Sequence, residues 1–407
     1  MDMVIRAWLL NHRVLVFLLL SLVSQFLSWR LWLRQTDQPG LRLLIHLIFI
    51  IFNLGWLHLL GVVHYGQPVG QAWAWLDRPS LAWQMFHLLV LLPAAALASA
   101  GLGLFHFFAR RRKGQPRRPA MNLEAGRRDF LKTAAGASLI GLTGLVGYGV
   151  GRQGRPPGLR RLVVHIRDLP APLDGLVIAH ISDIHLGLWF SQAELGRALD
   201  LAAAAKPHLA VFTGDLVDRD PEFARLYHEP LKALARVPHG VWAVLGNHDH
   251  YTGPERIAGL LDGHGLTMLV DRRVNLPGLP LTLVGLDDQG GRWTWLGEAE
   301  ALDFKVVTGP PARPGDLKLL LNHRPEGFPQ AARAGFQLYL AGHTHGGQYQ
   351  LPWDSQSNLA SVFFKYSSGL YGQEGGWLNV NRGLAAVGAP FRLWAWPEID
   401  ILTLKKI

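Results

Sequence analysis

The chain has 407 residues, 49% of them hydrophobic and only 17% charged, which excludes both a disordered polar chain and an ordinary wholly soluble one. It contains no cysteine, so disulfides, zinc fingers, iron–sulfur clusters and thiol catalysis are excluded. The net charge of +10 is unevenly spread: residues 1–160 carry +13 and residues 161–407 carry −3, so no basic nucleic-acid surface is expected on the C-terminal part.

Three apolar runs open the chain, at about 13–33, 41–63 and 83–108. Each approaches or exceeds the ~20 residues that cross a hydrocarbon core. A membrane domain of three transmembrane helices is expected over 1–109. His46, His58, His87 and His106 lie within or beside these runs and read as interfacial side chains in preference to cofactor ligands. A basic linker at 110–132, rich in arginine at Arg110, Arg111, Arg112, Arg117 and Arg118, belongs on the cytoplasmic side by the positive-inside rule. It ends in Arg127-Arg128-Asp129-Phe130-Leu131-Lys132, followed by the mildly apolar Gly/Ala-rich run 133–151. That string resembles a twin-arginine (Tat) export signal. With no clear cleavage site after it, the run is expected to remain as a fourth transmembrane or signal-anchor helix. Residues 152–160 read as a linker.

From 161 to 407 the pattern changes to short apolar runs at 175–181, 209–213, 241–245, 281–286, 317–321 and 337–341, with helical segments such as 191–205 and 222–236 between them. This predicts an α/β domain. Five polar clusters fall at or just after the ends of these runs: Asp183-Ile184-His185, Gly214-Asp215-Leu216-Val217-Asp218, Gly246-Asn247-His248-Asp249, Asn322-His323 and Gly342-His343-Thr344-His345. Ligands collect at strand C-termini in α/β sheets. A lone Asp there is often a helix cap, but five clusters rich in Asp, Asn and His are not explained by capping. Carboxylate, amide oxygen and imidazole together suit Mn²⁺, Fe or Zn²⁺ better than Mg²⁺ or Ca²⁺. A carboxylate such as Asp215 is able to bridge two ions ~3.5–4 Å apart, the spacing used for in-line displacement at phosphorus.

The order Asp-x-His, Gly-Asp-x-x-Asp, Gly-Asn-His-Asp, His, Gly-His-x-His resembles the calcineurin-like metallophosphoesterase superfamily, over about three-fifths of the chain. Lys206-Pro207-His208 to Asp218 and Arg382-Gly383 to Leu404 resemble its bacterial Tat-exported, membrane-associated branch. The resemblance implies a four-layer αββα sandwich. It implies a first metal on Asp183, His185, Asp215 and His345, and a second on Asp215, Asn247, His323 and His343. It gives His248 a role at the transferring phosphoryl group or the leaving oxygen, with Asp218 orienting its imidazole.

Arg219 reads as a solvated loop charge or a phosphate contact, and Trp189, His250 and Tyr251 as pocket-shaping or rim residues. Asp287 and Asp288 stay unassigned. The expected protein is a membrane-anchored phosphoesterase with two divalent ions, manganese foremost, acting by in-line attack of a metal-bridging hydroxide. Its catalytic domain would lie outside the cytoplasmic membrane of a bacterium, exported by the Tat machinery. Its substrate would be a phosphoester, lipid or cell-envelope derived, and no nucleic-acid partner is expected. Two alternatives stand beside it: a pyrophosphatase of a UDP-diacylglucosamine-like lipid, and a non-catalytic membrane sensor or scaffold.

Overall fold

The computed structural model describes residues 22–23, 25–26, 28–30, 33, 38–65, 83, 144, 148–149, and residues 155–407 apart from 188–189, 289–301, 374 and 388–391. More than half of the first expected span, nearly all of the third, the basic linker with Arg127–Lys132, most of the fourth span, and Trp189 lie outside the described residues. The chain divides into two compact units, Met1–Gly151 and Arg152–Ile407.

In the first unit, helix α1 (Pro39–Tyr65) covers the second expected span, with proline at its first position where a missing N–H costs nothing. Its side chains are described through residue 55, apart from 52. Ile45 and Phe49 pack with Trp83. The Trp29 indole N–H donates to His46 Nδ1 at 3.0 Å, and the Asn53 amide donates to Gln25 Oε1 at 2.8 Å. A hydrogen bond to tryptophan thus accounts for one of the apolar-segment histidines. Among the described residues no helix is both long and apolar enough to cross a membrane.

The second unit is built on two six-stranded sheets. The first runs β1 (Gly158–Ile166), β14 (Glu398–Lys406), β2 (Val177–Ile181), β3 (Leu209–Thr213), β4 (Val241–Val244), β5 (Thr267–Met268). The second runs β12 (Gly369–Gln373), β13 (Gly376–Val380), β9 (Leu338–Ala341), β8 (Leu317–Leu321), β7 (Leu281–Gly285), β6 (Arg272–Asn275). The expected apolar runs all become strands. β1 begins at Gly158, inside the stretch read as linker, and β14 pairs with it in parallel over nine residues.

Strand alternation explains the layering. Ile178, Leu209 and Val211 face Leu283, Leu319 and Leu338 between the sheets. Their neighbours Ala179, Ala210 and Phe212 face outward onto helix α2 (Gln192–Ala204) through Leu195 and Leu199 and onto α3 (Pro254–Asp262) through Ile257 and Leu261. On the far side, Leu320 and Tyr339 meet α4 (Phe328–Arg333) through Phe328 and Ala331. Helix, sheet, sheet, helix is the expected four-layer α/β sandwich. α2 is started by a capping box between Ser191 and Glu194. The second expected helix, 222–236, is corrected: it is a succession of 3-10 turns around the short helix His228–Leu231. Pro230 removes a backbone donor from its middle, so a long α-helix cannot run through it.

Between the sheets lies a buried charged group. The Asp400 carboxylate, fully buried on β14, accepts from Arg160 Nε and Nη2 at 2.7 Å each, from Asn379 at 2.7 Å and from Asn381 at 2.9 Å. Asn379 lies on β13, so this group ties the two sheets together. Asp400→Ala should lower the unfolding free energy by about 3 kcal/mol, because the buried Asn379 and Asn381 amides would lose their acceptor and Arg160 its two-point partner, keeping only Glu398 at 3.3 Å. Chemical denaturation checks this; an unchanged midpoint would show that the pair contributes nothing.

Candidate metal centre

β2, β3 and β4 are parallel neighbours, so the loops that follow them emerge at one edge. β8 and β9 are parallel neighbours in the facing sheet and end at the same edge. Asp183 and His185 follow β2, Asp215 and Asp218 follow β3, Asn247 and His248 follow β4, His323 follows β8, and His343 and His345 follow β9. Topology thus brings five sequence clusters, spread over more than 160 residues, to one place.

The loops are sharply bent. Asp183, His185, Asp215, His343 and His345 all have φ between 42° and 72°, in the left-handed region. For non-glycine residues that conformation costs about 1–3 kcal/mol each and is concentrated at functional sites. Two glycines are required by close approach. A Cβ on Gly246 would stand 2.3 Å from Asp215 Oδ1, and one on Gly342 would stand 2.3 Å from Asp183 Oδ2. Each carboxylate is therefore packed directly against bare backbone.

The donor atoms converge. Asp215 Oδ2 lies 3.4 Å from His185 Nε2 and 3.3 Å from His323 Nε2, while its Oδ1 accepts the His248 backbone N–H at 2.8 Å. On one side, His345 Nε2 is 3.2 Å from His185 Nε2 and 3.2 Å from Asp183 Oδ1. Asp183, His185, Asp215 and His345 form a buried group that could hold a metal ion. On the other side, His323 Nε2 lies 3.2 Å from both Asn247 Oδ1 and His343 Nδ1.

Outer contacts set the tautomers. His323 donates Nδ1–H to the Thr213 carbonyl at 2.7 Å, and His345 Nδ1 faces the Ala385 carbonyl at 3.0 Å. Both N–H protons of Arg392 Nη2 are taken by the Arg382 and Ala385 carbonyls, so His345 Nδ1 is the donor there. In both rings Nε2 is then the atom turned toward the centre.

These nitrogens do not satisfy one another. His345 Nε2, left without a proton when Nδ1 carries it, stands 3.2 Å from His185 Nε2, and the buried His185 Nδ1 has no hydrogen-bond partner. A divalent cation among these nitrogens and carboxylates removes the conflict, so the residues fit the group that the motif implies. Electrostatics agree. Burial opposes charge on Asp215, but His323 and His185 hold its carboxyl well below the usual range. Burial likewise opposes charge on His323, yet Asp215 and Asp183 raise it to about 10; burial dominates at His185 and lowers it to about 3. The centre is a pair of anions inside a ring of imidazoles.

His248 stands apart from that ring. Its imidazole is half-buried and meets His185 edge-on at 4.7 Å between centroids. The side-chain ligand atoms of His185, Asp218 and His248 lie within 4.8 Å of one another, and among the described residues no hydrogen bond joins Asp218 to His248. Arg219 is exposed, 3.7 Å from the Asp218 carboxylate. His250 bonds Asp287 at 2.9 Å, and Tyr251 lies beside the His248 ring, 5.7 Å away.

Two residues of the centre escape sequence reasoning. Asp249 accepts the backbone N–H groups of Gly246, Leu216 and Val217, which fastens the β4 loop to the β3 loop. Its place as the last residue of Gly246-Asn247-His248-Asp249 is the one signal that points to it. Arg324, next to His323, is held by Asp288 at 3.0 Å and puts Nη1 3.3 Å from His343 Nε2. Nothing in its neighbours' spacing distinguishes it from a solvated arginine.

The fold and this centre define a metal-dependent phosphoesterase. The sequence profile described as Calcineurin-like phosphoesterase matches residues 176–347. The uncharacterized metallophosphoesterase YkuE of Bacillus subtilis is 32% identical over 290 residues, 69% of this chain and 97% of that protein. The chain belongs to the calcineurin-like metallophosphoesterase family. The phosphodiesterase YaeI of Escherichia coli is 28% identical over 61% of this chain and 89% of its own length. A transmembrane protein with metallophosphoesterase domain from Danio rerio is 30% identical over 64% of this chain, which spans 60% of that relative.

Proposed function

We propose that the chain is a membrane-anchored phosphoesterase that works with two divalent ions, manganese foremost, and acts outside the cytoplasm. One observation carries the two-ion reading: Asp215 Oδ2 lies at nearly equal distances from His185 and His323, which come from different sheets. Asp183, His185, Asp215 and His345 would hold the first ion, and Asp215, Asn247, His323 and His343 the second. The ions would supply Lewis acidity to the phosphoryl oxygens and an activated water as nucleophile. The His248 imidazole, at the rim of the ring and clear of the metal-facing nitrogens, supplies a proton to the leaving oxygen. Asp218 biases that imidazole electrostatically. Arg324 adds a fixed positive charge on the His343 side of the opening.

Elemental analysis and a hydrolysis screen of the Mn²⁺-loaded full chain test this. Two ions per chain and turnover of p-nitrophenyl phosphate or its bis-ester are expected. One tight ion with no second site, or no turnover of any phosphoester, overturns it.

Anchoring rests on the three apolar N-terminal runs and on the likeness to the transmembrane protein of Danio rerio. Export rests on Arg127-Arg128-Asp129-Phe130-Leu131-Lys132. Replacing Arg127 and Arg128 together by Lys should protect the catalytic unit from external protease in intact cells. If the unit remains as exposed as before, the string is only a topogenic flank.

A further inference from the structure

The segment after Gly342-His343-Thr344-His345 leaves the site as a two-stranded hairpin, β10 (Gln350–Leu351) and β11 (Asp354–Asn358), followed by the turn Leu359–Val362. It carries an unusual load of exposed apolar side chains: Trp353 is 79% exposed, Val362 72%, Phe363 55%, Leu359 47% and Leu351 41%. Elsewhere among the described residues of the catalytic unit, large exposed apolar side chains are scattered singly, at Val163, Tyr251, Val270, Val306 and Ile407. Single exposures need no explanation, whereas five within thirteen residues make a patch.

The patch is rigidly tied to the metal centre. The Phe364 ring meets His343 edge-on at 5.7 Å, Thr344 Oγ1 donates to the Ser367 carbonyl at 2.6 Å, and the Leu359 N–H donates to the Tyr349 carbonyl at 2.8 Å. Asn358 donates to Ser367 Oγ at 2.9 Å and accepts from the Ser361 N–H. The apolar side chains therefore project from an ordered base, one residue from a group touching the site.

Chemistry selects the occupant. Between Glu326 and Glu374 the sequence has one acidic residue, Asp354, whose carboxylate is used internally by the Gln356 N–H and the Ser357 hydroxyl. Lys365 stands at the end of the patch, over the Tyr366 ring, and Arg324 stands at the site. A tryptophan at a hairpin tip, bulky aliphatic and aromatic neighbours, a flanking lysine and a single carboxylate that its own turn engages match the interfacial zone of a bilayer, with Lys365 and Arg324 facing anionic headgroups. At ~150–250 Å² for a large aromatic side chain, the exposed area is on the order of 600 Å², short of the ~800 Å² per partner of a stable protein interface.

We propose that Leu351–Phe363 is an interfacial docking element that seats the catalytic unit on a lipid surface and so presents phosphoesters carried by lipids to the metal centre. This deepens the phosphoesterase reading and rests on it for the second clause only.

The absence of native cysteine makes the test direct. Trp353→Cys, Val362→Cys and, as an exposed control, Glu229→Cys are each labelled with an environment-sensitive fluorophore in the full chain, in nanodiscs of phosphatidylcholine and phosphatidylglycerol containing spin-labelled acyl chains. Quenching by the lipid at 353 and 362 but not at 229 is expected. Trp353→Ser placed in the Val362→Cys protein should weaken the quenching at 362 by about tenfold in partition, while p-nitrophenyl phosphate turnover stays as it was. Equal labelling signals at all three positions, no quenching at 353 and 362, or energy transfer between labels on two protein copies in place of lipid quenching would each overturn the proposal. Quenching needs no turnover, so a protein that hydrolyses nothing yet is quenched defeats the phosphoesterase reading alone.

Discussion

Asp215→Asn should remove both metal ions together and lower phosphoesterase activity by at least about 10³-fold. Asp215 is the one side chain whose Oδ2 stands between the two imidazole groups, 3.4 Å from His185 and 3.3 Å from His323. Amide nitrogen in its place would present N–H donors to one side of that bridge, and the bridging charge would be lost. Lewis-acid stabilisation of a phosphoryl transition state is worth several kcal/mol, and each 1.36 kcal/mol is tenfold in rate. Asn247→Ala is the comparison: it touches only the His323 side, at 3.2 Å, and should weaken one ion. Metal content by elemental analysis, measured beside activity, separates the two. If Asp215→Asn keeps one ion at full affinity, the bridge is wrong.

His248→Ala should leave metal content unchanged and lower kcat by about 10²–10⁴ on substrates with poor leaving groups. The contact through which this residue holds the centre is its backbone N–H to Asp215 Oδ1, at 2.8 Å, and truncating the side chain keeps that bond. Its imidazole sits edge-on to His185, 4.7 Å between ring centroids. An interaction made in the transition state costs kcat more than KM when removed. The loss should shrink with p-nitrophenolate, which departs without a proton. Loss of an ion would make His248 a ligand. Equal loss on good and poor leaving groups would instead assign it to the phosphoryl oxygens.

Much of the metal centre is legible in the amino-acid sequence. Asp, Asn and His at the ends of apolar runs are a chemical pattern: strand ends carry loops, and these side chains bind metal. The apolar strands are legible for a related reason, since a run such as Leu317–Leu321 is almost wholly buried and carries only one polar interruption, at Lys318. β1 and β14 are not, because β1 has no buried position before Val164 and β14 carries Asp400 near its middle; β1 is held only by β14, which lies between β1 and β2. The 222–236 segment reads as one helix on its apolar spacing, and backbone chemistry at Pro230 overrules that spacing.

The inventory belongs to the sequence alone: which metal-binding side chains exist, that each follows an apolar run, and that the chain sits among phosphoesterases. Which of those side chains meet is a matter of tertiary structure. Asp183 and His343 are 160 residues apart, yet the His343 backbone N–H bonds the Asp183 carboxylate at 3.1 Å. Asp215 stands between two imidazoles because β3 is parallel to β2 and β8 ends opposite it, and His323 turns its Nε2 inward because its Nδ1 is held by the Thr213 carbonyl. Spacing along a chain sets what one strand end can offer, but convergence of strand ends depends on sheet order, and sheet order is a property of the packed molecule.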